Sequence, residues 1–206
     1  VRADGRLVGW LAVADAPRPE AAAVVRELRA RRLRVAVLTG DDEQVAAAVG
    51  RELGLDEVAA RLSPVDKGER LQAWRAEGEG LAMVGDGIND APALALADVG
   101  IAMGGGTEVA IEAGDIVLTR PDLWGVPAAL ALSRATLRTI RGNLGWAFGY
   151  NVVMIPFAAG AVPGAHLAPM WAAAAMAASS VCVVLNSLRL RGWRFQPVSA
   201  AGASAR

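Results

Sequence analysis

MVGDGINDAPAL, residues 83–94, is the stretch on which the fold turns. The apolar run Leu81, Ala82, Met83 and Val84 reads as a short buried strand that stops at Gly85, with a helix expected from near Asn89. Between them lie Asp86 and Asp90, two carboxylates on a glycine-bracketed turn. In open α/β sheets ligands bind at the carboxyl ends of the strands. A pair of carboxylates there suits a hard cation such as Mg²⁺, which takes oxygen ligands and keeps several waters. Gly85 and Gly87 let backbone come close to a ligand with no Cβ in the way. The plainer alternative is a strand-to-helix turn in which Asp and Asn serve as caps.

Working outward, strands and helices alternate. Upstream, residues 7–14 (LVGWLAVA) read as a strand ending at Asp15, and Pro17 and Pro19 break the chain before a helix over about 20–31. Residues 33–38 (LRVAVL) form a second strand that ends in Thr39, Gly40 and Asp41. A helix over about 43–53 is closed by Gly54. Pro64 and Asp66 open another helix, carrying Lys67, Leu71 and Trp74. Downstream of Asp90 come a short helix, a strand at 99–103 (VGIAM), a GGGT turn, a short helix and a strand at 115–118 (DIVL). This alternation predicts an α/β fold, a parallel sheet covered on both faces. Its carboxyl edge would gather Asp15, Thr39-Gly40-Asp41 and Gly85-Asp86. The Thr39 hydroxyl and Gly40 N–H would hold phosphate oxygens, Lys67 would neutralise their charge, and Asp86 would take the metal. Taken singly, Thr-Gly-Asp is an ordinary capped turn and one lysine an ordinary solvated charge.

The 206 residues suffice for one domain and something more. Formal net charge is zero, so nothing argues for a nucleic-acid partner. Mean hydropathy is +0.34, which points to a membrane component. Residues 142–188 contain no Asp, Glu, Lys or Arg, only His166. The single cysteine, Cys182, lies there and can form no intrachain disulfide. The first residue is Val1 and no signal peptide precedes the first strand, so a fragment or a cut chain is expected. Residues 143–162 and 170–188 each have about the length of a bilayer span, joined through Pro163, Gly164 and Pro169. Arg134, Arg138 and Arg141 precede the first and Arg189, Arg191 and Arg194 follow the second, which predicts a hairpin with both basic ends cytoplasmic. The alternative is a helical hairpin buried in a soluble protein. A helix over about 123–141 is expected to run into the first span as a stiff rod. Polar groups inside spans are costly. The first span carries Tyr150 and Asn151, and Pro156 cannot donate to the Val152 carbonyl. The second carries Met176 and Ser180 on one helix face, with Ser179 adjacent. A thioether suits Cu(I), and neither carboxylate nor histidine lies within the spans. Asn and Ser as interhelical glue, with Met filling a gap, is the competing reading. The tail, 196–206, is small and polar and expected to be disordered.

With these residues in place, the chain resembles the C-terminal portion of a heavy-metal P-type ATPase of the copper-transporting kind. The resemblance rests on DAPR (15–18), TGD (39–41), SPVDK (63–67), MVGDGINDAPALALADVGIAM (83–103), WAFGYN (146–151) and MAASS (176–180). It implies a partial phosphorylation domain of the haloacid-dehalogenase type over residues 1–121, a connecting helix over 122–141, the last two membrane helices within 142–190, and a cytoplasmic tail over 191–206. In such ATPases an aspartate takes the γ-phosphoryl group of ATP, and that aspartyl phosphate is later hydrolysed. The resemblance makes Asp86 a Mg²⁺ ligand with Asp90 beside it, and Asn89 a support. Thr39 and Gly40 become phosphoryl contacts next to Asp41, and Lys67 the neutralising lysine. Tyr150, Asn151, Met176 and Ser180 match the transport site for Cu⁺. The implied partners are the lipid bilayer of a bacterial plasma membrane, the N-terminal part of the same pump with most of the ATP site, and a copper chaperone. Departures are the absence here of DKTGT with its acceptor aspartate, of the nucleotide-binding and actuator domains and of Cys-Pro-Cys; Gly105 and Gly114 are smaller ones. The expectation is that this chain alone forms no phosphoenzyme. The same pump carrying Cu(II) or Zn²⁺, a soluble phosphatase, and a non-catalytic remnant binding Mg²⁺ or phosphate are the alternatives.

Overall fold

The computed structural model describes residues 2–3, 6–7, 16–78, 80–160 and 169–198. The chain divides into two compact units, Val1–Trp124 and Gly125–Arg206.

In the first unit, β1 (Arg2–Ala3) and β2 (Arg6–Leu7) pair antiparallel. The strand expected over 7–14, and Asp15 at its end, lie outside the described residues apart from Leu7. Helix α1 (Ala21–Ala30) buries Ala21, Val24 and Val25, and Glu27 on the same helix is buried with its carboxylate paired to Arg31 at 2.7 Å. β3 (Ala36–Leu38) pairs in parallel with β4 (Glu57–Ala59), Ala36 opposite Glu57 and Leu38 opposite Ala59. Helix α2 (Glu43–Leu53) is opened by Asp42, whose side chain accepts from the Gln44 N–H, and ends at Gly54 with φ 65°. Helix α3 (Pro64–Ala76) opens with a reciprocal capping box between Ser63 and Asp66. Then β5 (Ala82–Gly85), β6 (Val99–Ala102) and β7 (Ile116–Val117) form a parallel sheet in that order. Helices α4 (Ala91–Leu96) and α5 (Glu108–Ala113) are the crossovers between them.

The parallel α/β arrangement is as expected, but the single sheet is two parallel pieces. They share one core: Leu38 beside Leu81 and Met83, all packed on Leu71 and Trp74 of α3 and Ala93 of α4. Strand β4 was not anticipated, because in Glu57–Ala59 only Val58 is a strong strand former.

At the amino ends of the strands one device recurs. Asp56, Asp98 and Asp115 each immediately precede a strand, and each accepts a hydrogen bond from an N–H at the start of the strand beside it. The donors are Val35 (2.9 Å), Leu81 (2.9 Å) and Gly100 (2.8 Å). Asp56 and Asp98 use their other oxygen for Arg29 and Arg75.

The second unit is α6 (Gly125–Ala158) and α7 (Pro169–Leu188), packed together, followed by a 3₁₀ turn at Arg189–Gly192. The helix foreseen over 123–141 does continue into the uncharged region, and it passes Pro156 without ending there. The Asn143 amide donates to Ser187 Oγ (2.9 Å), and Asn186 donates to Asn143 Oδ1 (2.8 Å). This fixes the direction of the pair. At ~1.5 Å per residue, a parallel arrangement would place Ala158 and Pro169 about 50 Å apart. Residues 159–168 reach at most about 40 Å, so the helices run antiparallel.

Among the described residues, no helix is long and apolar enough to cross a membrane. The two expected spans are thus not shown among the described residues. The helical part of the first uncharged run ends at Ala158 rather than at residue 162, short of the ~20 residues a span requires. Helix α7 is 20 residues long.

Candidate functional site

Three elements build the first unit's site. Strand β5 delivers Asp86 just past its carboxyl end, exposed, and the 3₁₀ turn Ile88–Asp90 brings Asp90 back over the strand. Asp90 lies so close to Gly85 that a Cβ there would come within 2.7 Å of the Asp90 Cβ. That is the positional need for this glycine. From α3, Lys67 reaches across: its Nζ lies 2.7 Å from Asp90 Oδ1, with the two side chains only 12% and 16% exposed. The other Asp90 oxygen accepts from the Gly87 N–H at 3.3 Å. Among the described residues the Asp86 carboxylate has no hydrogen-bond or ion-pair partner. Its backbone is fixed, since the Asp86 carbonyl accepts from the Thr107 N–H (3.0 Å) and the Met103 N–H bonds the Gly85 carbonyl (2.9 Å). A Cβ on Gly106 would stand 2.7 Å from that same Asp86 carbonyl.

The second strand end, after β3, is closed on itself. The Thr39 hydroxyl donates to Asp41 Oδ2 (2.8 Å) and accepts from the Asp41 N–H (3.1 Å). Thr39 and Asp41 also bind the loop ahead of α3, through the Leu62 and Arg61 N–H groups. Gly40 is exposed at the tip. Next to it the Arg61 guanidinium bonds Asp42 at 2.7 Å, and with the Gln44 N–H it holds the Asp42 carboxyl below the usual carboxylate range. The Ser63 side chain and N–H do the same for Asp66, one residue before Lys67.

Asp86 and Asp90 are hard oxygen donors of the kind Mg²⁺ takes together with phosphate oxygens and water. Among the described residues no group of three or more acidic, His or Cys side chains is arranged to hold a metal. A two-carboxylate site completed by substrate is therefore what the donor set fits. Lys67 and Asp90 are brought together; Thr39 and Asp41 form a separate cluster. Asn89 is exposed on the 3₁₀ turn.

In the second unit the part-buried positions recur at Asn143, Ala147, Tyr150, Met154 and Phe157 on α6, and at Ser179, Val183 and Asn186 on α7. Steps of four and three residues define a packing seam. With Asn143 set against Ser187, antiparallel geometry makes Tyr150 and Asn151 level with Ser180 and Ser179. One residue past a seam position is a rotation of about 100°, and in an antiparallel pair that step turns both helices toward the same flank. Asn151 follows Tyr150, Ser180 follows Ser179, and Met176 lies one turn from Ser180. All three are exposed and share that flank. Cys182, one residue before Val183, turns to the opposite flank.

The interhelical glue is not where the sequence suggested. Asn151 donates to the Ala147 carbonyl (2.8 Å) and Ser180 to the Met176 carbonyl (3.3 Å), each within its own helix. The bridge between helices is Asn143 with Asn186 and Ser187, none of them singled out in advance. Their uncharged setting beside arginines was the available signal.

Residues 1–98 match the haloacid dehalogenase-like hydrolase family. A probable copper-exporting P-type ATPase V of Mycobacterium tuberculosis is 55% identical over 188 residues, 91% of this chain and 24% of that protein. A probable copper-transporting ATPase of Synechococcus elongatus is 52% identical over 200 residues, 96% of this chain and 26% of the relative. Among solved structures, a zinc-transporting PIB-type ATPase in its E2·Pi state matches with a TM-score of 0.77 at 40% identity. That match covers 85% of this chain and 28% of the other. The chain spans about a quarter of the length of the curated relatives it matches. Over residues 1–98 the chain is similar to haloacid dehalogenase-like hydrolases, and over nine-tenths of its length it is similar to that quarter of the copper-transporting P-type ATPases.

Proposed function

We propose that this chain supplies the phosphoryl-handling site and part of the ion path of an ATP-driven Cu(I) export pump. The observation that carries the reading is the turn after β5. Asp86 is exposed and unpartnered among the described residues, and Asp90 is locked beside it by Lys67 at 2.7 Å. In this reading Lys67 is held where it neutralises phosphoryl charge, the Thr39 hydroxyl and Gly40 N–H contact phosphoryl oxygens, and Asn89 supports the turn. Asp86 and Asp90 would hold Mg²⁺, which supplies charge stabilisation at a phosphoryl oxygen when bound. The residues' own work is positioning and electrostatics, the principal requirement in phosphoryl transfer. The acceptor aspartate, most of the ATP site and the remaining ion ligands belong to the rest of the pump, in a bacterial plasma membrane. Within that assembly α6 and α7 are membrane helices, and a copper chaperone delivers the ion.

For the cargo, Tyr150, Asn151, Met176 and Ser180 are the ligand candidates. A zinc pump is the second reading, favoured by the zinc-transporting structural relative. Against it, no Asp or Glu occurs from Gly125 to the last residue, whereas the thioether of Met176 suits a soft cation. The test is ATPase activity of the protein as its gene encodes it, in membrane vesicles, with Cu(I) or Zn²⁺ added. Stimulation by Cu(I) above Zn²⁺, lost in Met176→Ala, is the expected result. Stimulation by Zn²⁺ alone overturns the Cu(I) assignment.

A further inference from the structure

We propose that Asn143, Asn186 and Ser187 form a clamp that sets the axial register of α6 against α7, and are thereby positioning residues for the ion site. The proposal rests on the reading of Asn151, Met176 and Ser180 as ion ligands. The observations begin with the bonds themselves. They form a directed chain: Asn186 donates to Asn143 Oδ1 (2.8 Å), Asn143 donates to Ser187 Oγ (2.9 Å), and Ser187 donates to the Val183 carbonyl (2.8 Å). Asn143 thus uses both ends of its carboxamide across the helix pair. Of the other seam positions, Ala147, Met154, Phe157 and Val183 are apolar, and beside the seam Asn151 and Ser180 bond within their own helices. Apolar contacts are non-directional and do not by themselves fix an axial register. A slip of one turn moves every α7 residue by about 5.4 Å relative to α6, which would carry Ser180 out of level with Asn151 and change the offset of Met176 from it. It would also strip Asn143 of both partners. A single polar Asn in a helix seam is a well-attested register device.

The clamp also explains why the three ligand candidates share one flank, with Ser180 level with Asn151 to within a residue, although no direct bond joins them. Level and flank follow from the seam once Asn143 meets Ser187.

The test uses the protein as its gene encodes it, in its membranes, carrying Ala147→Cys with either Val183→Cys (level in this register) or Ser179→Cys (one turn away). Disulfides are mapped by peptide mass, in a Cys182→Ser background. The clamp is removed by Asn143→Leu together with Asn186→Leu, since replacing both partners by apolar groups leaves no orphaned amide and keeps the helices packed. Asn143→Ala alone serves as a second variant should the double change impair folding. With the clamp intact, only the 147–183 disulfide forms. Without it, both disulfides form, and the Cu(I) concentration for half-maximal ATPase rises about tenfold, while the ATP requirement stays unchanged. An unchanged cross-linking pattern overturns the clamp. A spread of cross-links with an unchanged Cu(I) requirement overturns its positioning role. ATPase indifferent to Cu(I) in the unmutated protein overturns the Cu(I) assignment and the positioning role with it, the register result being read separately.

Discussion

Lys67 and Asp90 are 23 residues apart in sequence, yet they meet at 2.7 Å with little exposure. Removing Lys67 leaves the Asp90 carboxylate half-covered with one N–H partner, Gly87. Lys67→Ala is therefore expected to lower stability by about 1–3 kcal/mol, read by urea unfolding. In the pump proposed above it should cut turnover by about 10²-fold or more. Asp66 and Asp42 set a pH dependence. Both carboxyls are held below their ordinary value, Asp66 by the Ser63 side chain and N–H, Asp42 by Arg61 and the Gln44 N–H. A depressed carboxyl stabilises the fold above its unfolded pKa and loses that contribution as pH falls through the folded value. The stability gap between the unmutated chain and Asp66→Asn should thus be constant at neutral pH and close below about pH 4. Urea midpoints at a series of pH values would show it; a gap that widens in acid would contradict the sign. At this scale the sequence placed Asp86 past the end of a strand, Asp90 on the turn after it and Lys67 on a helix, where the structure has them. It could not reveal that Lys67 bonds Asp90, because that pairing comes from packing α3 on α4, which no spacing encodes.

Helix α2 contains Gly50 in its interior, where a glycine costs about 1 kcal/mol relative to alanine. The reason lies in the strand that went unforeseen: a Cβ on Gly50 would stand 2.5 Å from Cγ2 of Val58 in β4. Val58 is β-branched and stiff at χ1, so it gives way poorly. Gly50→Ala should gain the propensity term and lose more to overpacking, at about 1–3 kcal/mol, for a net loss measurable by thermal unfolding. A net gain would mean that β4 yields. The glycine was the legible trace of β4, since close backbone approach is what an unneeded helical glycine signals. The strand-start aspartates teach a related point. Asp98 and Asp115 stand within the quoted motif region or just beyond it, yet they bond N–H groups at the amino edge, opposite Asp86. Asp115→Ala is expected to cost about 1–2 kcal/mol without altering metal or phosphoryl affinity. Strand polarity, not acidic character, separates the two sets of aspartates.

For the whole molecule, the charge pattern marks the uncharged stretch 142–188, whereas the compact unit that holds it begins earlier, at Gly125, and includes the flanking arginines. Helix ends were less legible: alanine continues a helix as readily as it stops contributing to apolarity, and α6 ends at Ala158. The 206 residues by themselves are expected to take up no acid-stable phosphate from labelled ATP. Label on the isolated segment would demand an acceptor within it. Cys182→Ser should leave Cu(I) stimulation unchanged, because the thiol turns to the flank away from Asn151. The β6–α5 loop carries a consequence for genetics. A methyl on Gly104 would overlap the Leu118 carbonyl, and one on Gly106 would press on the Asp86 carbonyl. In a screen for copper sensitivity, alleles at these two glycines would be scored beside those of Asp86, although neither residue has a side chain with which to touch an ion or a phosphate. Classifying alleles by phenotype would thus assign two scaffold positions to the chemistry, and only a fold-stability assay on each would sort them back.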